Sequence, residues 1–425
     1  MAGEWKTLAL ADCMAAIIDY RGKTPEKTTF GVPLVTAKVI KGGRIERPDE
    51  FIADADFDTW MRRGMPEPGD IVMTTEAPLG EVAQLDGTKV ALAQRVITLR
   101  GKPNLLDNTF LKFLLQSSEV QEELRSRGTG TTVVGIRQSE LRKVSLTLPP
   151  LAEQKAIAAV LGALDDKIEL NRRMNATLEA MARALFQSWF VDFDPVRAKL
   201  DARQPDGLDQ ATAALFPNSF QDSAAGHIPT GWTVCPLSIL TRYLSRGIGP
   251  SYLEEGGVCV LNQKCVRDHR VDFSKSRRHD VVKKPINDRA LQLHDVLVNS
   301  TGMGTLGRVA QVFHLPEVAI VDSHVTIVRA ASDTDPFFLG IYLTGREAEI
   351  EELGEGSTGQ TELSRARLGE LKIITPPFEI QKAFGAAVGP FLKRISENEH
   401  QSRTLATLRD TLLPKLLSGT LRVLN

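Results

Sequence analysis

The segment Leu148-Pro149-Pro150-Leu151-Ala152-Glu153-Gln154 returns, 227 positions later, as Thr375-Pro376-Pro377-Phe378-Glu379-Ile380-Gln381. Each Pro-Pro stop is followed by about 35 residues that read as one helix. In the first copy, alternating steps of four and three pick out Ile157, Leu161, Leu164, Ile168, Asn171, Asn175, Leu178, Ala182, Leu185 and Trp189. This is a heptad seam with a two-residue polar break. In the second copy the same positions are Phe384, Val388, Phe391, Ile395, Asn398, Ser402, Leu405, Arg409, Leu412 and Leu416, so the break falls in the same place. At 1.5 Å per residue each helix is roughly 50 Å long, too long for the inside of an ordinary domain. An amphipathic helix lying on a core explains one such stretch. Two in one register favour an antiparallel helix pair, with Asn171 and Asn398 close together at its centre.

The repeat extends beyond the helices. Trp5 matches Trp232, Val32–Ile45 matches Val258–Val271, and Asp70-Ile71-Val72 matches Asp295-Val296-Leu297. Gly128-Thr129-Gly130-Thr131-Thr132 matches Gly354-Glu355-Gly356-Ser357-Thr358. The globular parts, 5–147 and 232–374, mix short strand-like runs with helical patches at 109–125 and 336–353. The expected fold class is therefore α+β, a domain-plus-helix unit duplicated with pseudo-two-fold symmetry. Between the halves, Gln204-Pro205-Asp206-Gly207, Phe216-Pro217-Asn218 and Ile228-Pro229-Thr230-Gly231 predict a connector running back over the surface. Pro414 stands where the first helix has Gln187, so the second helix is expected to kink or stop there.

The net charge of −1 gives no bulk pull toward nucleic acid, so an anionic partner requires a local basic surface. Residues 264–289 provide one, with nine Lys or Arg against four Asp. The four cysteines have neither CxxC pairing nor a histidine at metal spacing, and read as reduced and mostly buried. No stretch resembles a signal peptide or a membrane span, which predicts a cytoplasmic chain.

Three phrases, Leu148–Gln154, Ser188-Trp189-Phe190-Val191-Asp192-Phe193-Asp194-Pro195 and Leu412-Leu413-Pro414-Lys415-Leu416-Leu417-Ser418-Gly419, occur together with the duplication. Tyr20-Arg21-Gly22-Lys23-Thr24-Pro25 and Val260-Leu261-Asn262-Gln263-Lys264-Cys265 accompany them. With these in view the chain resembles the DNA-specificity subunit of type I restriction–modification enzymes, over nearly its whole length. The resemblance implies target-recognition domains at 1–147 and 232–374, spacer helices within 148–191 and 375–425, and a connector at 192–231. It implies a non-catalytic subunit of an antiviral restriction system that binds a split site in double-stranded DNA. It also implies partners: two methyltransferase subunits and restriction/translocase subunits. No cofactor is expected on this chain; S-adenosylmethionine, ATP and Mg are expected in the partners. A rod of paired helices would hold two reading heads about one DNA turn apart, ~34 Å.

Two heads that read different sequences still share the phosphate backbone. Positions basic in both halves, Lys38/Lys264, Lys41/Arg267 and Arg44/Arg270, are therefore candidate phosphate contacts. Positions that differ, Thr36/Asn262, Ala37/Gln263, Gln94/Ser323 and Arg95/His324, are candidate base readers, since Asn and Gln suit adenine and Arg suits guanine. Arg21, Lys23, Arg277 and Arg278 join the DNA-binding set, as do Thr131 and Ser357 in the glycine-rich loops. Solvated faces and plain turns are the simpler alternatives. Trp189, Phe190, Phe193 and Leu416 are candidate docking anchors, against core packing as the plain alternative.

Gly302-Met303-Gly304-Thr305-Leu306-Gly307 fits GxGxxG, but a strand-like run follows where a dinucleotide site needs a helix. Thr375-Pro376-Pro377-Phe378 lacks the amide or carboxylate of an amino-methyltransferase loop. The rival functions are a methyltransferase or nuclease acting alone, and a coiled-coil adaptor that binds protein only. The first lacks a catalytic motif; the second leaves 264–289 without a role.

Overall fold

The computed structural model describes residues 5–356 and 361–423. It divides into two compact units, Met1–Leu170 with Gln401–Asn425, and Asn171–His400. The long helices are Leu151–Phe190 and Phe378–Leu417, 40 residues each. Each helix is shared: one half belongs to the first unit and the other half to the second.

In the first unit a four-stranded antiparallel sheet runs in the order Met14–Asp19, Val96–Gly101, Ile71–Thr75, Leu79–Gln84. Ile71–Thr75 is buried along its whole length, as its β-branched and apolar composition requires. A three-stranded sheet, Phe51–Ile52, Val32–Val35, Ala91–Leu92, stands beside it. Helix Asn108–Gln116 covers the larger sheet and starts where Asp107 accepts the Phe110 N–H at 2.9 Å. The second unit repeats this plan. Its sheet order is Thr241–Arg246, Val325–Ala330, Val296–Asn299, Val309–Gln311, and Asp335 caps helix Pro336–Thr344.

A buried ion pair also recurs. Arg100 donates to both carboxylate oxygens of Asp70 at 2.7 and 2.8 Å, and Arg329 donates to both of Asp295 at 2.7 Å. The free lone pairs are used too: Asp70 accepts the Glu67 N–H and Asp295 the Gln292 N–H. Hydrogen bonds to these carboxylates push both arginines further up, so the charges stay fixed.

The Pro-Pro motif acquires a physical role here. Gln154, three residues into its helix and 1% exposed, accepts the Asp107 N–H and donates to the carbonyls of Leu105 and Pro149 at 2.8–3.0 Å. Gln381, also 1% exposed, accepts the Asp335 N–H at 3.1 Å and donates to Pro376 O at 2.9 Å. One buried amide thus ties the start of each long helix to the cap of the helix that covers the sheet.

None of the seam positions is exposed in either helix. In the first unit the helices run antiparallel, with Asp165 bridging Arg409 at 2.7 Å and Lys112 at 2.6 Å. In the second unit, Asn171 Nδ2 donates to Asn398 O at 3.4 Å, Asn398 Nδ2 to Asn175 Oδ1 at 2.8 Å, and Asn175 Nδ2 to Ile395 O at 3.4 Å. Asn171 and Asn398 therefore do meet, at 0% and 1% exposure. The polar break is a buried ladder of amides that a shift by one turn would unpair.

Two expectations fail. The helix runs on to Leu417 through Pro414, and Ser418 N–H reaches Pro414 O at 3.0 Å. Pro414 loses its own donor and crowds the Asp410 carbonyl, but it stands one turn from the helix end, where few bonds remain to be disturbed. The connector is not a surface crossing. It folds into helices Asp194–Leu200 and Gln210–Leu215 and a hairpin, Phe220–Ser223 with Gly226–Pro229. Its Phe193, Val196, Phe216 and Ile228 join the core of the second unit. Its aromatic side chains bury more surface than its turn residues could keep in water.

Replacing Gln154 or Gln381 by Ala leaves buried backbone groups unpaired. Each substitution is expected to cost about 1–3 kcal/mol. Hydrogen exchange should show the loss as weaker protection of the first turns of the affected helix. Unchanged protection there, together with an unchanged denaturant midpoint, would refute the tie.

Candidate nucleic-acid interface

In the first unit, Val32–Val35 and Ala91–Leu92 run parallel, with Leu34 opposite Ala91 and Val35 opposite Leu92. Parallel strands end on the same edge, so the residues that follow them emerge side by side. Thr36 and Lys38 follow one strand, and Gln94 and Arg95 follow the other. All four line a single cavity of about 350 Å³. Ala93 N–H closes the edge onto Val35 O at 2.9 Å, and Thr24 Oγ1 donates to the side-chain Oε1 of Gln94 at 2.7 Å.

The second unit repeats the device. Val258–Leu261 runs parallel to Ala319–Val321, and Asp322 N–H closes onto Leu261 O at 2.9 Å. Asn262, Gln263 and Lys264 leave one strand; Ser323 and His324 leave the other. Asn262 accepts the Lys264 N–H at 2.8 Å, which fixes the turn. Asn299 donates to Gln263 O at 3.0 Å, and His324 shares a hydrogen bond with Thr301 at 2.7 Å. Burial pushes the Asp322 carboxyl up. The positions matched in sequence therefore come together in both units on equivalent frames, with different side chains.

The basic residues differ in how firmly they are held. Lys264 is exposed, and Arg267 is exposed with the equally exposed Asp268 carboxylate 3.5 Å away. Lys38 is exposed but bonded to Asp49 and Glu50 at 2.9–3.1 Å; these hydrogen bonds, that to Asp49 foremost, push its ammonium up. A phosphate contact by Lys38 would have to displace those carboxylates. Lys41 pairs with Glu46 at 3.1 Å. Arg95 pairs with Glu76 at 2.7 Å, and both remain largely exposed. The Arg277 guanidinium carbon sits over the Tyr252 ring, 3.3 Å from its centre, and Arg278 pairs with Glu317 at 2.6 Å. Lys23 is exposed beside Tyr20, Trp60, Arg62 and Arg63 around a second cavity. Arg62 and Arg63 were not anticipated; their adjacency in Met61-Arg62-Arg63-Gly64 was the available signal. Thr131 is exposed on a loop closed by paired N–H···O bonds between Thr129 and Gly135 at 2.8 and 2.9 Å. Ser357 lies outside the described residues.

Several expected contacts prove to be structural. Arg270 pairs with Glu179 on one long helix and Glu399 on the other, which takes it out of the free basic set. Arg44 is exposed, 3.9 Å from Glu46, and lines with Asp165, Glu169 and Arg409 a cavity beside the helices of its own unit. The reason is topological. Both arginines stand on two-residue hairpins, Ile40–Lys41/Arg44–Ile45 and Val266–Arg267/Arg270–Val271. Arg21 is held by Asp19 and donates to Ile136 O at 2.8 Å. Trp189, Phe190 and Phe193 are buried among Phe216, Trp232, Phe338 and Phe384, and Leu416 is buried in the core of the first unit. Their apolar surface is spent inside the chain, which leaves them none to offer a docking subunit.

All four cysteines are free, and burial pushes Cys13, Cys259 and Cys265 up, the last to about 11. Among the described residues no group of three or more His, Cys, Asp or Glu gathers as a metal site. None of their helices is long and apolar enough to cross a membrane.

Residues 59–180 match the family described as the type I restriction modification DNA specificity domain. The chain is 26% identical over 430 residues to the type I restriction enzyme MjaIX specificity subunit of Methanocaldococcus jannaschii, covering 95% of this chain and 90% of that one. It is 26% identical over 374 residues to the HindI specificity subunit of Haemophilus influenzae, covering 77% and 80%. The fold is similar to the crystal structure of the type-I restriction-modification S subunit from M. genitalium, with a TM-score of 0.64, 16% identity, and 97% and 96% coverage.

Exposed cations and those bridged to the long helices should behave differently. Lys264→Ala and Arg267→Ala are each expected to lower the slope of log K against log salt for DNA by about 1. Arg270→Ala should leave that slope unchanged and lower the melting temperature. A slope change for Arg270→Ala equal to that of Arg267→Ala would overturn the division.

Proposed function

We infer that the chain belongs to the specificity subunits of type I restriction–modification enzymes and is the part of such an enzyme that recognises DNA sequence. Each unit reads one part of a two-part, asymmetric duplex site. The observation that carries this reading is the repeated parallel-strand edge. It presents Thr36, Gln94 and Arg95 in one unit and Asn262, Gln263 and His324 in the other. An equivalent frame with different polar groups is what two heads need if they bind one kind of polymer and read different letters. Lys264, Arg267, Arg277, Lys23 and Thr131, all exposed, supply the backbone-facing groups on this reading.

The chain acts as a scaffold, and catalysis lies with methyltransferase and restriction subunits. Methyl transfer from S-adenosylmethionine, and the use of ATP and Mg, belong to those partners. The docking surface for them is the solvent-facing side of the long helices, since the aromatic cluster at Trp189–Phe193 is internal.

Exchanging residues 1–147 for the corresponding part of a relative with another target tests the reading. With its methyltransferase partner, the hybrid should methylate sites altered in one half only. A change in both halves would sink the two-head assignment. Methylation of DNA by the chain with no partner present would sink the scaffold assignment.

A further inference from the structure

The loop Gly302-Met303-Gly304-Thr305-Leu306-Gly307 has no part in the functions assigned above. It joins strand Val296–Asn299 to strand Val309–Gln311 in the second unit, and it is tightly made. Thr305 and Leu306 N–H both return to Gly302 O, at 3.1 and 3.0 Å. Arg308 donates to Gly304 O at 2.7 Å. Gly302 and Gly304 have φ of +102° and +65°, a backbone that side chains resist. Leu306 turns inward and is buried, whereas Met303 stands at the tip with 87% of its surface exposed. Such a loop has the order to hold an apolar side chain in water, and folding gains nothing from that side chain.

Its surroundings indicate what would cover it. A Cβ on Gly302 would lie 3.1 Å from Gln263 Nε2, so the loop packs against the Gln263 amide. On its other flank Thr301 holds His324 at 2.7 Å. Met303 thus follows directly on two residues, Thr301 and Gly302, that touch His324 and Gln263, the side chains read above as facing base edges. Every A·T pair presents its thymine 5-methyl group in the major groove, so an apolar side chain next to a glutamine that reads one base edge can meet such a methyl on the neighbouring pair. The corresponding loop of the first unit, Glu76-Ala77-Pro78-Leu79-Gly80, has Leu79 in the place of the buried Leu306 and no long apolar side chain in the place of Met303, as expected of a group that reads one half-site only.

We propose that Met303 is a base-reading residue of the second unit, making an apolar contact with a thymine 5-methyl group in the major groove beside the base pair read by Gln263. The proposal rests on the reading of this unit as a DNA-recognition head.

The test uses the chain assembled with its methyltransferase partner and a random duplex library. The wild type should select thymine at one position in the half-site read by the second unit. Met303→Ala should lose that preference while every position of the other half-site stays unchanged, and Met303→Leu should keep it. Deoxyuridine at that position lacks only the methyl group. It should weaken wild-type binding about three- to fivefold, the size of one buried methyl contact, and leave Met303→Ala unaffected. If Met303→Ala selects the wild-type site undiminished, or if deoxyuridine weakens both proteins equally, the proposal is overturned while the recognition head stands. If the wild type itself selects no sequence in that half, the head assignment falls and the proposal with it.

Discussion

The buried amide of Gln154, and of Gln381 in the repeat, is the interaction on which each unit depends. It joins three pieces of backbone: the Pro-Pro turn, the first turn of a 40-residue helix, and the N-cap of the helix that covers the sheet. An isolated helix of that length gains little from propensity and needs an apolar face to lie on. The seam provides that face, but a seam alone tolerates sliding. The amide fixes where the helix begins relative to the sheet, and the Asn171–Asn398–Asn175 ladder fixes its register against its neighbour. Both devices bury polar groups that have partners in only one arrangement, which makes slipped alternatives costly.

With the helices positioned, the remaining architecture separates two kinds of surface. Hairpins carrying Arg44 and Arg270 turn toward the helices of their own units, where Arg270 bridges two glutamates. The ends of the parallel strands carry Thr36, Gln94 and Asn262, half-buried, and His324, exposed. A charge that is matched between the repeats is therefore ambiguous. It can mark a shared contact with a polyanion, or a shared structural ion pair such as Asp70–Arg100 and Asp295–Arg329. Burial and partners distinguish the two, and neither is written in the spacing.

This explains the uneven legibility of the candidate site. The pairing of Gln94 and Arg95 with Ser323 and His324 could be read from the duplication, because a repeated backbone puts repeated positions on repeated frames. That Lys38 is held by Asp49 and Glu50 could not, since a carboxylate eleven or twelve residues away on an irregular loop has no periodic signature. The aromatic run at Trp189, Phe190 and Phe193 reads equally well as a sticky surface or as a core. The helices Asp194–Leu200 and Gln210–Leu215 decided for the core by closing over it.

The sequence by itself determined the duplication, the two long helices with their seam and polar break, and the α+β character of each half. All of these are periodic or repeated features, carried by local chemistry that survives without knowledge of the neighbours. Only the tertiary structure decided which side of each hairpin faces the helices, which arginines are free, and that the connector is part of a core. Those outcomes depend on contacts between residues far apart in the chain. There, the burial of one aromatic or the pairing of one guanidinium outweighs any local preference of the segment that carries it.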